Sequence, residues 1–423
     1  MQAKHILTHG TLNTVLRGIT LVSKLLLMVT LARYLDPSDV GRYGILAASI
    51  SFSMYILGLD FHNFAGREIV LADYASKAPL IRDQFIFYTV NYLILYTALL
   101  CIDFLNIIET DLFYWFLLLL AVEHISHELY RILVFLRLPI RANLLMFLRS
   151  GIWCYIVFAI FYLNNSARDL QIVFIIWSTG GAVSILYGGS LILHRFGVNA
   201  LFSKPVGWVW IIKGVPVGLL LLASSLAFRA VFTADRYLVQ VAGNDALVGV
   251  YAFYANLANA ILTLVDSAVV AILAPELIKS TQEELPSYLA NVKRFFWSII
   301  LVSVLLFVLT SALIYPVVSM VGKEIYLEHI RIYLVVGGAV CLFSMSQAPH
   351  QILYAAKRDR AIALSSSVTS AVTIALCAIL AHWNALYGVA LGVMLGGLLT
   401  LVVKGVLAWN LVRSHSPQNT YSK

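Results

Sequence analysis

Long runs of apolar residues recur along the whole chain, and short polar connections separate them. A helix needs about 20 apolar residues to cross a bilayer, whereas strands of a membrane barrel alternate apolar and polar residues over about ten. The runs are Leu-rich, have the helical length and do not alternate. They predict spans at residues 11–34, 42–60, 84–105, 111–135, 143–163, 170–193, 212–234, 246–273, 294–315, 330–350, 361–381 and 386–411. We therefore expect an all-α polytopic membrane protein with about 12 transmembrane helices.

The composition is typical of a chain that lies mostly within the bilayer. Of its 423 residues, 61% are hydrophobic and 12% are charged. Soluble domains carry about 25% charged residues, so a soluble protein of this length could not cover its surface with so few. The composition therefore excludes a soluble globular protein.

Lysine and arginine are unevenly distributed between the connections. Connections after even-numbered spans, counted with Arg131, Lys213 and Arg294 at the adjoining span ends, hold 15 of these residues. Connections after odd-numbered spans, counted with Arg33 and Arg42, hold 5. Because cytoplasmic loops carry the excess of Lys and Arg, this distribution predicts that both termini are cytoplasmic. The formal net charge of +8 then follows from membrane topology, and we expect no nucleic-acid partner.

Two short sequences of the first half recur in similar form in the second half of the chain. Residues 32–35 (ARYL) leave the first span, and residues 235–238 (DRYL) leave the seventh, 203 positions later. Residues 40–44 (VGRYG) and 248–252 (VGVYA) enter the following spans at an offset of 208. Short matches in a Leu-rich chain also arise by chance, but their common order and similar spacing favour a duplication.

A duplicated set of six spans enters the membrane in the same direction in both copies, as in transporters with parallel repeats. We therefore expect two parallel-repeat six-helix bundles around a central cavity, related by an axis along the membrane normal. The expected boundaries are 1–194 for the N-terminal bundle, 195–212 for a cytoplasmic linker and 213–423 for the C-terminal bundle.

Two segments resemble a known family. Residues 31–69, from LARYLDPSDVGRYG onward, resemble the opening of bacterial polysaccharide flippases of the O-antigen (Wzx) type. Residues 214–262, from GVPVGLLLLASSLAF onward, resemble the start of their second half. These flippases share the MOP superfamily with the MATE drug exporters and the lipid II flippases. The resemblance implies translocation of undecaprenyl-pyrophosphate-linked O-antigen oligosaccharide units across the bacterial inner membrane, by alternating access between the two bundles.

The same resemblance implies the partners of the chain. They are the lipid-linked oligosaccharide, the membrane lipids and, as a further candidate, the polysaccharide polymerase machinery. We expect no cofactor, and an H+ or Na+ gradient is the candidate for coupling. The nearest alternative is a MATE-type cation-coupled drug antiporter, which should carry acids in its cavity.

Basic residues inside the predicted spans are candidates for a cationic cavity. A charged side chain at the bilayer centre costs about 2.5–3.5 kcal/mol on insertion scales, so each needs a function or a partner. Arg17, Lys24, Arg149 and Arg229 are the predicted substrate-binding residues, because an anionic pyrophosphate suits a basic interior and guanidinium groups bind phosphate oxygens. For Arg17 and Arg149, snorkelling to the inner interface is the structural alternative.

Acidic and histidine residues inside the spans are candidates for coupling transport to an ion gradient. The fourth span carries Glu123, His124 and Glu128, and Asp266 lies in the eighth. A protonatable group in a span is typical of transporters, while a self-neutralised polar ladder is the structural alternative. No recognised spacing supports a zinc site here, and we predict no metal site.

Motifs of enzyme active sites are lacking in the sequence. It contains no GxxxxGK[ST] loop for ATP, no GxSxG elbow and no CxxC pair. We therefore predict a transporter without catalytic residues, and an integral-membrane glycan polymerase or ligase is the enzyme alternative.

Overall fold

The computed structural model describes residues 2–104 and 111–414. These residues are almost entirely helical and include no strand, which confirms the all-α prediction. The helices are α1 (Gln2–Tyr34), α2 (Pro37–Gly58), α3 (Phe61–Leu71), α4 (Tyr74–Phe104), α5 (Phe113–Phe135), α6 (Pro139–Ser150), α7 (Ile152–Leu163), α8 (Leu170–Phe196), α9 (Val198–Leu201), α10 (Trp208–Ala242), α11 (Asp245–Val265), α12 (Ala271–Ser280), α13 (Leu285–Val321), α14 (Glu324–Glu328), α15 (Ile332–Ala355), α16 (Asp359–Ala381) and α17 (Ala385–Ser414). A 3₁₀ turn covers Asn165–Ala167, and a π-helical turn covers Asp266–Val270.

Within the described residues, 10 helical segments are long and apolar enough to cross a membrane. The bent helix α10 raises that number to 11 when its two parts count as one span. The remaining predicted span, residues 111–135, forms the 23-residue helix α5. Its charged and histidine residues between positions 123 and 131 lower its hydropathy, which is why it is not one of the apolar segments.

Contacts between Cα atoms divide the chain into two compact units. The first unit comprises residues up to 35 and 46–226, and the second comprises 36–45 and the residues from 227 onward. In this division the expected linker, 195–212, falls within the first unit. The organisation into two bundles joined by that linker stays a prediction.

In the first unit, α10 packs closely against the start of α3. The Phe61 ring meets the Trp210 ring edge-on at a centroid distance of 5.3 Å. A Cβ atom at Gly214 would lie 2.5 Å from the Phe61 ring, and one at Gly218 would lie 2.4 Å from the carbonyl oxygen of Leu59. Only glycine at these two positions allows the helix to approach so closely.

In the second unit, the start of α2 crosses the start of α11 through a pair of glycines. A Cβ at Gly41 would lie 2.1 Å from the carbonyl oxygen of Asp245, and one at Gly249 would lie 1.9 Å from that of Pro37. The two glycines belong to the repeated VG dipeptides, and Pro37 and Asp245 are separated in the chain by the same offset. Each repeat therefore contacts the other through equivalent atoms, as in an isologous interface, which supports the duplication seen in the sequence.

Candidate functional site

Both repeats interrupt a membrane helix at the same position. Helix α2 ends at Gly58, and Leu59 and Asp60 then adopt positive φ angles of 47° and 50° before α3 begins. Helix α11 ends where the π-helical turn starts at Asp266, which is the counterpart of Gly58 at the offset of the VG dipeptides. Positive φ is unfavourable for residues other than glycine, and π turns concentrate at functional sites. Interrupted helices at corresponding positions of two repeats point to the binding region of a transporter.

Helix α5 carries the fully buried carboxylate of Glu128 in the first unit. The Tyr88 hydroxyl donates to its Oε2 over 2.7 Å, and the Gln84 amide donates to the same oxygen over 3.0 Å. The Arg131 guanidinium pairs with Oε1 and lies 2.9 Å from Nδ1 of His62 on α3. A buried carboxylate needs such partners, because an uncompensated charge is costly in this environment. The cluster therefore joins α5 to the segment that follows the break in α2.

His124 lies beside that break. Its Nδ1 is 3.0 Å from the Tyr92 hydroxyl, and its ring meets the edge of the Tyr88 ring. Nε2 has no hydrogen-bond partner among the described residues and faces Gly58, where a Cβ atom would lie 3.1 Å away. Buried polar groups are nearly always paired, so this nitrogen is a position from which a proton or a water could be exchanged.

Glu123 is bound from two other helices rather than from its own. The indole Nε1 of Trp177 on α8 donates to its Oε1 over 2.6 Å, and Nε of Arg149 on α6 is 3.6 Å from Oε2. The rings of Trp177 and Trp153 stack at 5.5 Å. Nη1 of Arg149 is buried and has no hydrogen-bond partner in the part of the chain that the structure describes. The site thus holds an ion pair with unused donor capacity.

Two of the four predicted substrate-binding bases, Arg17 and Lys24, lie on α1 and interact with residues of α6 and α7. Arg17 donates through Nε to Oδ1 of Asn143 over 3.3 Å. Lys24, in the middle of its 20-residue span, is exposed and interacts electrostatically with Cys154. Arg149 lies between Asn143 and Cys154 in the sequence, but its guanidinium pairs with Glu123 of α5.

The fourth base lies in the second unit and is close to an acid. Arg229 on α10 interacts electrostatically with Asp266, the first residue of the π turn. The Asp266 Oδ1 atom is 3.5 Å from the amide nitrogen of Gln347 on α15. Arg229 and Asp266 therefore interact in the structure, although the sequence predicts substrate binding for Arg229 and coupling for Asp266.

Sequence reasoning missed the residues of α4 that serve the α5 cluster. Gln84, Tyr88, Tyr92 and Tyr96 follow one another at intervals of four, and each bonds to a residue of α5. This stripe of polar side chains in an apolar span was a signal that could have identified the partners. His62 carried no such signal, because its role depends on the break before α3.

No group of three or more His, Cys, Asp and Glu side chains in the described residues could hold a metal ion. The clusters on α5 and at the π turn are instead built from ion pairs and hydrogen bonds. Groups of this kind can hold a proton or an anion.

The fold is shared with solved membrane transporters. No protein-family model and no curated protein matches the chain. An inward-facing multidrug-resistance MATE family transporter of the MOP superfamily is 15% identical over 95% of this chain and 98% of that chain, with a TM-score of 0.74. A MATE protein in the straight conformation is 14% identical over 95% of this chain and 96% of that chain, with a TM-score of 0.65. The lipid II flippase MurJ, in an inward closed conformation, is 12% identical over 97% of this chain and 94% of that chain, with a TM-score of 0.67. The chain therefore has the fold of these MOP proteins over nearly its full length.

Proposed function

We propose that the protein is a flippase that moves undecaprenyl-pyrophosphate-linked oligosaccharide units, of the O-antigen type, across the bacterial inner membrane by alternating access. The MOP fold supports a transporter, since its solved examples include both drug exporters and a lipid flippase. Both termini lie in the cytoplasm in this proposal, and the polysaccharide polymerase machinery is a partner.

The exposed mid-span Lys24 is the observation that carries the proposal. A lysine at this depth that faced lipid would cost about 2.5–3.5 kcal/mol, so its exposed side chain is best explained by an aqueous cavity. Arg17 is also exposed on the same helix, seven residues earlier. Residues seven apart share a helix face, so both bases line the same side. Two bases on one wall suit the two phosphates of a pyrophosphate group.

The membrane potential can drive such a cargo outward. Each negative charge that leaves an inside-negative cell gains about 2.3 kcal/mol per 100 mV, so a pyrophosphate with two charges gains about 4.6 kcal/mol. This gain needs no ATP, in agreement with the lack of a phosphate-binding loop in the sequence.

We further propose that the acids and His124 couple the cycle to an H+ or Na+ gradient. Glu123 and Glu128 connect α5 to α6, α8, α4 and, through Arg131, to α3. A change of protonation at Glu123 would release Arg149, whose Nη1 already has unused donor capacity. Asp266 lies at the break in the other repeat and interacts electrostatically with Arg229.

A MATE-type cation antiporter is the second candidate. Asp266 favours it, because an exposed carboxylate at a helix break could bind a cationic drug or ion. Arg229 disfavours a cationic ligand, since it interacts electrostatically with the acid and repels cations.

The proposal is tested in proteoliposomes that contain a pyrophosphate-linked oligosaccharide lipid. Lys24→Ala should lower the initial flipping rate about tenfold or more, since a hydrogen bond to a charged group contributes about 1.5–3 kcal/mol. Lys24→Arg should keep most of the rate, and Lys279→Ala, at an exposed lysine of α12, is the matched control. Wild-type flipping by Lys24→Ala would contradict the basic cavity.

A further inference from the structure

A cavity of about 530 Å³ lies in the second unit, and no residue of the helix breaks lines it. It is formed where the α12–α13 connection meets the turn between α15 and α16. Its floor consists of the buried residues Tyr288, Ala355 and Leu411, and exposed Lys357 and Arg358 stand at its rim. Its volume is within the range of small-ligand sites, about 300–1,000 Å³, and it combines an apolar floor with a cationic rim.

The α15–α16 turn has an exact backbone counterpart in the other repeat. In the first unit, N–H of Arg137 donates to the Val134 carbonyl, and N–H of Leu138 donates to the Leu133 carbonyl. In the second unit, N–H of Lys357 donates to the Tyr354 carbonyl, and N–H of Arg358 donates to the Leu353 carbonyl. Each of these four residues follows its counterpart in the first unit by the same number of positions. Arg137 and Lys357 have φ angles of 58° and 57°. Both turns are therefore Schellman caps, with a base in the left-handed position that glycine usually occupies.

The two caps differ at the next residue. A Schellman cap is usually completed by an apolar residue that packs against the last turn of the helix. Leu138 is this apolar residue in the first unit, and it packs against a cluster of buried hydrophobic residues that includes Leu133 and Leu136. Arg358 replaces that apolar residue in the second unit and lies at the rim of the cavity. The exchange of an apolar cap residue for a base has placed a cation beside an apolar pocket.

The charges around the cavity favour an anionic ligand with an apolar part. Lys357 and Arg358 are the lining bases, and Glu283 is the lining acid. The Glu283 carboxylate accepts a hydrogen bond from Ser287 over 2.6 Å, so it is held on its own helix end. Thr281 and Gln282 add neutral polar groups at the rim. Guanidinium and ammonium groups bind phosphate oxygens, and the apolar floor can receive the chain that follows the phosphate.

We propose that this cavity binds the headgroup of an anionic phospholipid from the cytoplasmic leaflet. Both connections that form it are on the side predicted to be cytoplasmic by the Lys and Arg distribution, where anionic lipids attract basic residues. The cavity shares no lining residue with the proposed substrate-binding and coupling residues, and we infer that it takes a lipid that stays in its leaflet.

Native mass spectrometry of the full chain in detergent tests the proposal, with phosphatidylglycerol and phosphatidylcholine as probes. The wild-type protein should retain phosphatidylglycerol in preference to phosphatidylcholine. Arg358→Leu restores the apolar cap of the first repeat, so it should fold normally and lower the phosphatidylglycerol affinity about tenfold or more. Lys357→Ala, at an exposed position, should lower the affinity as well. Arg137→Ala is the matched control and should bind as the wild type does.

Three results would overturn the assignment. One is wild-type phosphatidylglycerol binding by both Arg358→Leu and Lys357→Ala. Another is an equal loss of phosphatidylglycerol affinity in Arg137→Ala, which would show that the lipid is attracted to exposed bases in general and not to this cavity. The third is displacement of the lipid by millimolar inorganic phosphate, which would show a site for small anions. The unfolding temperature of each variant separates lost binding from lost folding.

Discussion

Substitution of Gly249 by alanine tests the contact through which the two repeats meet. The new Cβ atom would lie 1.9 Å from the carbonyl oxygen of Pro37, where an ordinary contact begins at 3.4 Å. The neighbouring atoms belong to helix backbones, so no side chain can rotate away. The two helices must therefore move apart until the Cβ atom and the carbonyl oxygen reach an ordinary contact distance. This movement loosens the contacts around the crossing.

The expected cost follows from two opposing terms. Forcing extra volume into a packed contact costs about 1–3 kcal/mol, while alanine in place of glycine gains about 0.5–1 kcal/mol inside a helix. Because the overlap is between backbone atoms, the upper half of the first range applies, and the net cost is about 1–2.5 kcal/mol. Because 1 kcal/mol shifts the Tm of a domain of 150–250 residues by about 2–4 °C, we expect a fall of roughly 2–10 °C.

Thermal unfolding of the purified protein in detergent measures this effect. Gly41→Ala should lower the unfolding temperature as much as Gly249→Ala does, since the two glycines are equivalent in the repeats. The double variant should cost less than the sum, because one separation of the helices accommodates both methyl groups. Gly405→Ala is the control, since no heavy atom lies within 4 Å of its added Cβ in the described structure. If both interface variants unfold at the temperature of Gly405→Ala, the close crossing is wrong.

Three further predictions concern the charged clusters. Glu123→Gln keeps the shape of the side chain and removes its titration, so vesicles with this variant should exchange substrate but lose their dependence on an imposed pH gradient. Unchanged gradient dependence would assign Glu123 to structure alone. Arg229→Ala should abolish export at normal abundance in the membrane, and Arg229→Lys should restore it only in part because the bidentate fork is lost. Normal export by the alanine variant would remove Arg229 from the cavity. Arg131→Met should destabilise the fold by about 3–5 kcal/mol, because the buried Glu128 carboxylate loses its countercharge. Addition of Glu128→Gln should recover most of that loss in thermal unfolding, and a double variant no more stable than the single one would refute the pairing.

Hydrophobic pattern alone was sufficient to predict the helical fold. Each predicted span corresponds to a helix or to two consecutive helices, since burial in a bilayer imposes the same length and apolar composition on every crossing. The breaks at Gly58 and Asp266 were not visible in this pattern, because they change backbone angles without changing apolarity. The repeated VG dipeptides did indicate a duplication, but their direct contact through Gly41 and Gly249 depends on the three-dimensional crossing.

The candidate site was only partly predictable. The sequence located Glu123, His124 and Glu128 on α5, because charges are conspicuous inside an apolar span. It could not supply their partners, since Trp177 lies 54 residues away and His62 approaches only through the break before α3. The structure contains one pair within α5, Glu128 with Arg131, and provides the other partners from four other helices. Their roles in transport stay predictions.

The most direct test of the proposed function compares two cargoes in the same proteoliposomes. An inside-negative potential is imposed, and outward movement of a fluorescent pyrophosphate-linked oligosaccharide lipid is measured beside efflux of a cationic dye. We expect protein-dependent movement of the anionic lipid that increases with the potential, and no efflux of the dye. Efflux of the dye under a proton gradient, with the lipid left in its original leaflet, would contradict the account and favour the cation antiporter.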